Sequence, residues 1–163
     1  VGGGARHELD ASGHGHDGTV EGAVPTADHY GLPQTAYLFD GAAAIVLPTA
    51  EDLLGADPAG WTVSAWFRAD DLSTDTIIVS DYSSPAHDTL YGFQVMLDVT
   101  GHIRASVRKA HQNEAECVSE TVVAAGQWHF LTFAVDKAGG RARLDLDGAI
   151  EDIRAFDGDS EFI

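Results

Sequence analysis

Short apolar and β-branched runs recur along the whole chain, and each is cut off by a cluster of Gly, Asp, Ser or Pro. Helical periodicity is almost absent. This punctuation predicts an all-β sandwich or barrel, because short runs of that kind suit strands joined by tight turns. Strands are expected at Thr35–Asp40, Ala44–Leu47, Trp61–Ala69, Thr76–Asp81, Leu90–Val99, His102–Lys109, Glu116–Val123, Gln127–Asp136, Arg141–Asp147 and Ile150–Phe156. Val99-Thr100-Gly101-His102 and Lys137-Ala138-Gly139-Gly140 read as hairpin turns, where glycine supplies the positive φ. The one helical turn expected follows Thr49, which can cap Ala50 to Leu54 before Gly55 stops it.

Alternation separates the faces. Trp61, Val63, Ala65 and Phe67 share one side of their strand; Thr62, Ser64, Trp66 and Arg68 share the other. Leu131, Phe133 and Val135 oppose Trp128, Phe130 and Ala134 in the same way. Large apolar residues on both sides predict that both strands are central and covered on each face, with Trp61, Trp66 and Trp128 in the core rather than serving as sugar platforms.

With 163 residues the chain is read as one domain spanning 1–163, with room for a sizeable core. The 26 acids against 9 bases give a formal net charge of −17, which repels nucleic acid and anionic lipid. It suits divalent cations, neutral sugars or a salty medium. No apolar run approaches the roughly 18 residues a membrane helix needs, so membrane insertion is not expected. The chain opens Val1-Gly2-Gly3-Gly4, without a basic-then-apolar leader, and is read as a processed or internal piece. Cys117 stands alone among Glu114, Glu116 and Glu120 and reads as a small buried hydrophobe rather than a reactive thiol.

Five segments, in order, carry a resemblance. Asp10-Ala11-Ser12-Gly13-His14-Gly15-His16-Asp17-Gly18-Thr19 is a glycine-rich opening loop. Leu38-Phe39-Asp40-Gly41 leads to Ile45-Val46-Leu47-Pro48. Trp61-Thr62-Val63-Ser64-Ala65-Trp66-Phe67, Gly126-Gln127-Trp128-His129-Phe130 and Leu144-Asp145-Leu146-Asp147-Gly148 follow. Together they resemble the laminin-G-like family of concanavalin A-like jelly rolls. The resemblance implies a two-sheet antiparallel β-sandwich that acts as a secreted, extracellular binding or adhesion module. His14 and His16 stand where the family usually has asparagine, and the family's first strand is absent or reduced to the residues before Asp10. Residues 148–154 read either as the closing strand or, preferably, as the strand that follows Asp147-Gly148, which leaves the sandwich lacking its last strand.

The opening loop is the expected calcium site. Asp10 and Asp17 flank it, and the carbonyls of Gly13 and Gly15 can turn inward. The resemblance places calcium near Asp10 and, if the closing-strand reading holds, adds Glu151 and Asp152. The other reading is an Asx-turn in which Asp10 bonds nearby backbone and the glycines simply turn the chain. His7, His14 and His16 have no established zinc spacing. Ligand contacts are expected from loops, with Tyr82, His87, Asp88, Tyr91, Arg108 and His111 as candidates. The partner is expected to be a carbohydrate or an extracellular protein.

No catalytic motif is present, and no strand carries alternating carboxylates. Glu151 and Asp152 are adjacent, so on a regular strand they face opposite sides. The chain is therefore read as non-catalytic. The alternatives are a structural unit that forms an oligomer or is completed by a partner strand, and a polysaccharide hydrolase or lyase on the same fold.

Overall fold

A computed structural model of the chain describes residues 6–47, 59–82, 92–109 and 112–157. All regular elements among them are strands, and all paired strands run antiparallel. The chain divides into two units, Val1–Gly55 and Ala56–Ile163.

The first unit holds β1 (Arg6–Glu8), β2 (Gly18–Glu21), β3 (Val24–Thr26), β4 (Ala36–Leu38) and β5 (Ala44–Val46). They form a β1-β2-β5 sheet and a β3-β4 ribbon. A strand thus does precede the opening loop: β1 pairs with β2 across it, His7 opposite Thr19.

The second unit holds β6 (Gly60–Arg68), β7 (Thr76–Tyr82), β8 (Gly92–Leu97), β9 (Ile103–Lys109), β10 (Gln112–Val118), β11 (Trp128–Asp136), β12 (Arg141–Leu146) and β13 (Ala149–Ala155). Two four-stranded sheets result, β10-β9-β8-β7 and β13-β12-β11-β6. Their facing sides make the core. Val95, Leu97, Ile103, Ala105 and Val107 come from one sheet and Leu131, Phe133, Val135, Leu144 and Leu146 from the other, with Trp61, Val63, Ala65 and Phe67 packed alongside. The Trp61 ring lies 4.5 Å from Phe93 and 5.7 Å from Phe133, within the range where aromatic pairs stabilise each other. This is the two-sheet antiparallel sandwich that the resemblance implies, and one of the two all-β forms that the punctuation allows.

Two expectations change, and one of the two C-terminal readings is met. β6 ends its sheet among the described strands, and its exposure alternates residue by residue, so it is not covered on both faces. Residues 149–155 form a hairpin with β12 through Asp147 (φ 53°) and Gly148 (φ 83°), as the preferred of the two C-terminal readings requires. β10 stops at Val118 instead of running to Val123, because the Ser119 amide donates to the Ile103 carbonyl and the Val123 amide folds back to Gly101. The helical turn expected after Thr49 lies outside the described residues.

Candidate functional site

Pairing in the β13-β12-β11-β6 sheet lays its outward residues out in rows. Arg68 sits opposite Trp128, Trp66 opposite Phe130, Ser64 opposite Thr132 and Thr62 opposite Ala134. Across the next pair, Asp145 faces Thr132, Arg143 faces Ala134 and Arg141 faces Asp136. An aromatic patch therefore occupies one end of the face and a polar, arginine-lined strip the other. At about 3.4 Å per residue they are separated by roughly 13 Å along β11.

The patch is held from both sides. The Trp66 and Phe130 ring centroids are 5.2 Å apart, and Trp66 is still 47% exposed. Arg68 lies over the Trp128 ring at 5.5 Å, a cation–π distance, while its guanidinium forks onto Asp70 at 2.8 and 3.3 Å. Ser64 Oγ and Thr132 Oγ1 are 3.3 Å apart and complete the row beyond. Trp66 is thus not a core residue, contrary to the reading of its strand as two-sided. On this side the Trp66 and Phe130 rings of β6 and β11 pack on one another.

At the other end lies a groove of about 610 Å³, lined by Thr62, Ala134, Asp136, Arg141, Arg143 and Ile153 with neighbouring backbone. Arg143 is committed to Asp145 through both Nε and Nη2 (2.9 and 2.5 Å). Asp136 accepts the Gly139 amide at 2.8 Å, which closes the Lys137–Gly140 turn. Arg141 is exposed and, among the described residues, makes no ion pair.

The opening loop folds around Asp10. Its carboxylate accepts the amides of Ser12 (2.7 Å), His14 (3.1 Å) and His16 (3.1 Å), while the Asp10 amide donates to Asp17 at 2.8 Å. Hydrogen bonds from Ser12 and from the His16 amide hold the Asp10 carboxyl far below its ordinary range. Gly13 (φ 80°) and Gly15 (φ 82°) supply the left-handed turns. As folded, this is the Asx-type arrangement, in which Asp10 already spends both oxygens on N–H donors.

Glu151 and Asp152 lie in the second unit, on β13. The β12–β13 register shifts there: Leu144 pairs with Asp152 and Asp145 with Ile150, which leaves Glu151 as the extra residue of a bulge. Both carboxylates consequently reach the β10 side, against the expectation that they face opposite ways. Asp152 accepts the Val118 amide at 3.0 Å, and Glu151 accepts the amide and hydroxyl of Thr121 at 2.8 Å each. Among the described residues, no three His, Cys, Asp or Glu side chains converge as metal ligands.

Of the expected ligand residues, His87, Asp88, Tyr91 and His111 lie outside the described residues. Tyr82 ends β7 and pairs with Gly92, which pairs in turn with Arg108 on β9, so both belong to one row at one end of their sheet. Cys117 is fully buried, its thiol pushed up to about 11 by burial and by Asp152, in keeping with an inert core position. The sequence reading missed the Trp66–Phe130 patch, although three of four residues on that side of β6 are polar, which marks a solvent face.

The model of the concanavalin A-like lectin/glucanases superfamily matches residues 39–161. No curated protein matches the sequence. Similar solved structures include the native heptameric SAP-like pentraxin from Limulus polyphemus, with 15% identity and a TM-score of 0.47, covering 61% of this chain and 45% of that one. The chain thus spans less than half of the pentraxin. Another is the carbohydrate binding module CBM66 from Bacillus subtilis, with 11% identity and a TM-score of 0.48, covering 94% of this chain and 77% of that one.

Proposed function

The chain belongs to the concanavalin A-like lectin/glucanases superfamily, and from that premise we propose that it is a non-catalytic, extracellular carbohydrate-binding module whose outer β6–β11 face meets the glycan. The observation that carries this reading is Trp66, a large aromatic ring left 47% exposed on a strand, propped by Phe130 and followed by a row of hydroxyls. A preformed aromatic plane loses little side-chain freedom on binding and can pack on the apolar face of a sugar ring. Adjacent hydroxyls can exchange hydrogen bonds with its edges.

The same face argues against hydrolysis. A glycosidase needs two carboxyls flanking the bond, one of them able to donate a proton. Here Asp70 and Asp145 are each engaged by an arginine, Arg68 and Arg143, while Asp136 accepts the Gly139 amide. Calcium is a separate proposal. Asp10, Asp17 and the carbonyls of Gly13 and Gly15 would hold it, with the Asp10 oxygens shared between the ion and the three amide donors, and a melt with calcium against chelator tests it.

Affinity electrophoresis of the wild type and Trp66→Ala through gels carrying different polysaccharides tests the glycan reading. We expect retention by at least one polysaccharide, a loss of about tenfold or more in Trp66→Ala, and partial recovery in Trp66→Phe, with circular dichroism unchanged. Equal retention of wild type and Trp66→Ala would overturn it.

A further inference from the structure

We propose that the groove at Arg141 makes this module selective for a saccharide carrying a carboxylate, a uronate, with Arg141 as the recognising residue; this rests on the glycan reading above. The chain has only 9 bases against 26 acids, yet two of them, Arg141 and Arg143, line one groove on the same outer face as the aromatic patch. Arg143 is neutralised by Asp145. Asp136 stands directly opposite Arg141 in the register but turns its carboxylate to the Gly139 amide, and no ion pair forms between them. Among the described residues, Arg141 is thus an exposed guanidinium without an ion pair, in a groove it lines together with Thr62, Ala134 and Ile153.

The chemistry selects the ligand. A planar guanidinium fork matches a planar carboxylate with two parallel hydrogen bonds. One free guanidinium balances one negative charge. A phosphate monoester carries nearly two, and on a chain of net charge −17 its surplus would be opposed. The expected ligand is accordingly a saccharide with an isolated uronate, its neutral rings on Trp66 and Phe130 and its carboxylate about 20 Å away at Arg141, six residues along β11 from Phe130 in the register.

The test is a glycan array of matched pairs, each uronate-containing oligosaccharide printed beside its methyl ester, probed with wild type, Arg141→Gln, Arg154→Gln and Trp66→Ala. Arg154 is a control, because it is already paired with Asp152. Wild type is expected to prefer the free acids by about tenfold, the scale of a charge-assisted bidentate contact. Arg141→Gln should level acid and ester, and Arg154→Gln should not. If wild type binds acids and esters alike and Arg141→Gln changes nothing, the uronate inference falls while the glycan reading stands. If no glycan is retained by wild type, both fall.

Discussion

Asp98 carries four of the side-chain hydrogen bonds that hold the turn between β8 and β9, beside the bond from the Val99 amide to Asp75. One oxygen accepts the Thr100 amide, the Thr100 hydroxyl and the His102 amide at 2.9, 2.5 and 3.1 Å; the other accepts Arg104 Nε at 2.8 Å. Burial pushes this carboxyl up, but the bonds from Thr100, Arg104 and the His102 amide outweigh it and leave it far below the usual range. A carboxyl depressed in the folded state contributes stability above its unfolded value of about 4, and that contribution is lost as pH falls toward the folded value. Asp98→Asn should therefore cost about 1–3 kcal/mol at pH 7. In urea melts the gap between wild type and variant should narrow steadily below about pH 4. A gap that stays constant to pH 2 would show that the bonds matter only as shape. Trp66 teaches the complementary lesson about reading single residues. Its size argued for the core, but its face-mates Thr62, Ser64 and Arg68 had already identified the solvent side. Arg141 was not singled out, although the bond that occupies Asp136 is local and runs to the Gly139 amide three residues on.

At the scale of elements, the parts written in turn chemistry were legible and the parts written in long-range hydrogen bonds were not. Asp147-Gly148 and Lys137–Gly140 close hairpins where glycine permits it. β1, β2 and β3 escaped notice because three or four residues, with Gly18 and Pro25 among them, are too few to display an alternation. The Glu151 bulge was equally hidden: a sequence shows two adjacent acids, and only the register slip sends both toward β10. That bulge fastens β13 to the strand of the other sheet, since Asp152 takes the Val118 amide and Glu151 the Thr121 amide. Asp152→Ala leaves a half-buried amide without its acceptor and should cost about 1–3 kcal/mol. Glu151→Ala, whose partner is exposed, should cost less. Urea midpoints rank the two, and glycan retention should be unchanged in both. A loss of retention at native stability would instead give these carboxylates a part in binding.

For the whole molecule the governing quantity is charge. With 26 acids against 9 bases, the folded chain concentrates a net charge of −17, and self-repulsion opposes the compact state. Screening relieves it: the Debye length falls from about 10 Å at 0.1 M salt to about 3 Å at 1 M. Tm should therefore rise with sodium chloride over that range before any specific binding is considered. This matters for calcium, because a divalent cation screens a polyanion whether or not it has a site. The informative comparison sets a millimolar calcium melt against a chelator melt made up with sodium chloride to the same ionic strength. Native-state binding adds RT ln(1 + [L]/Kd), about 2.7 kcal/mol at a hundredfold excess over Kd. The calcium proposal requires an increment above the sodium curve, and requires that Asp10→Ala abolish it. Coincident curves would mean that the Asp10 oxygens serve their three amide donors alone, that the opening loop is a turn and nothing more, and that the cation dependence belongs to the net charge alone.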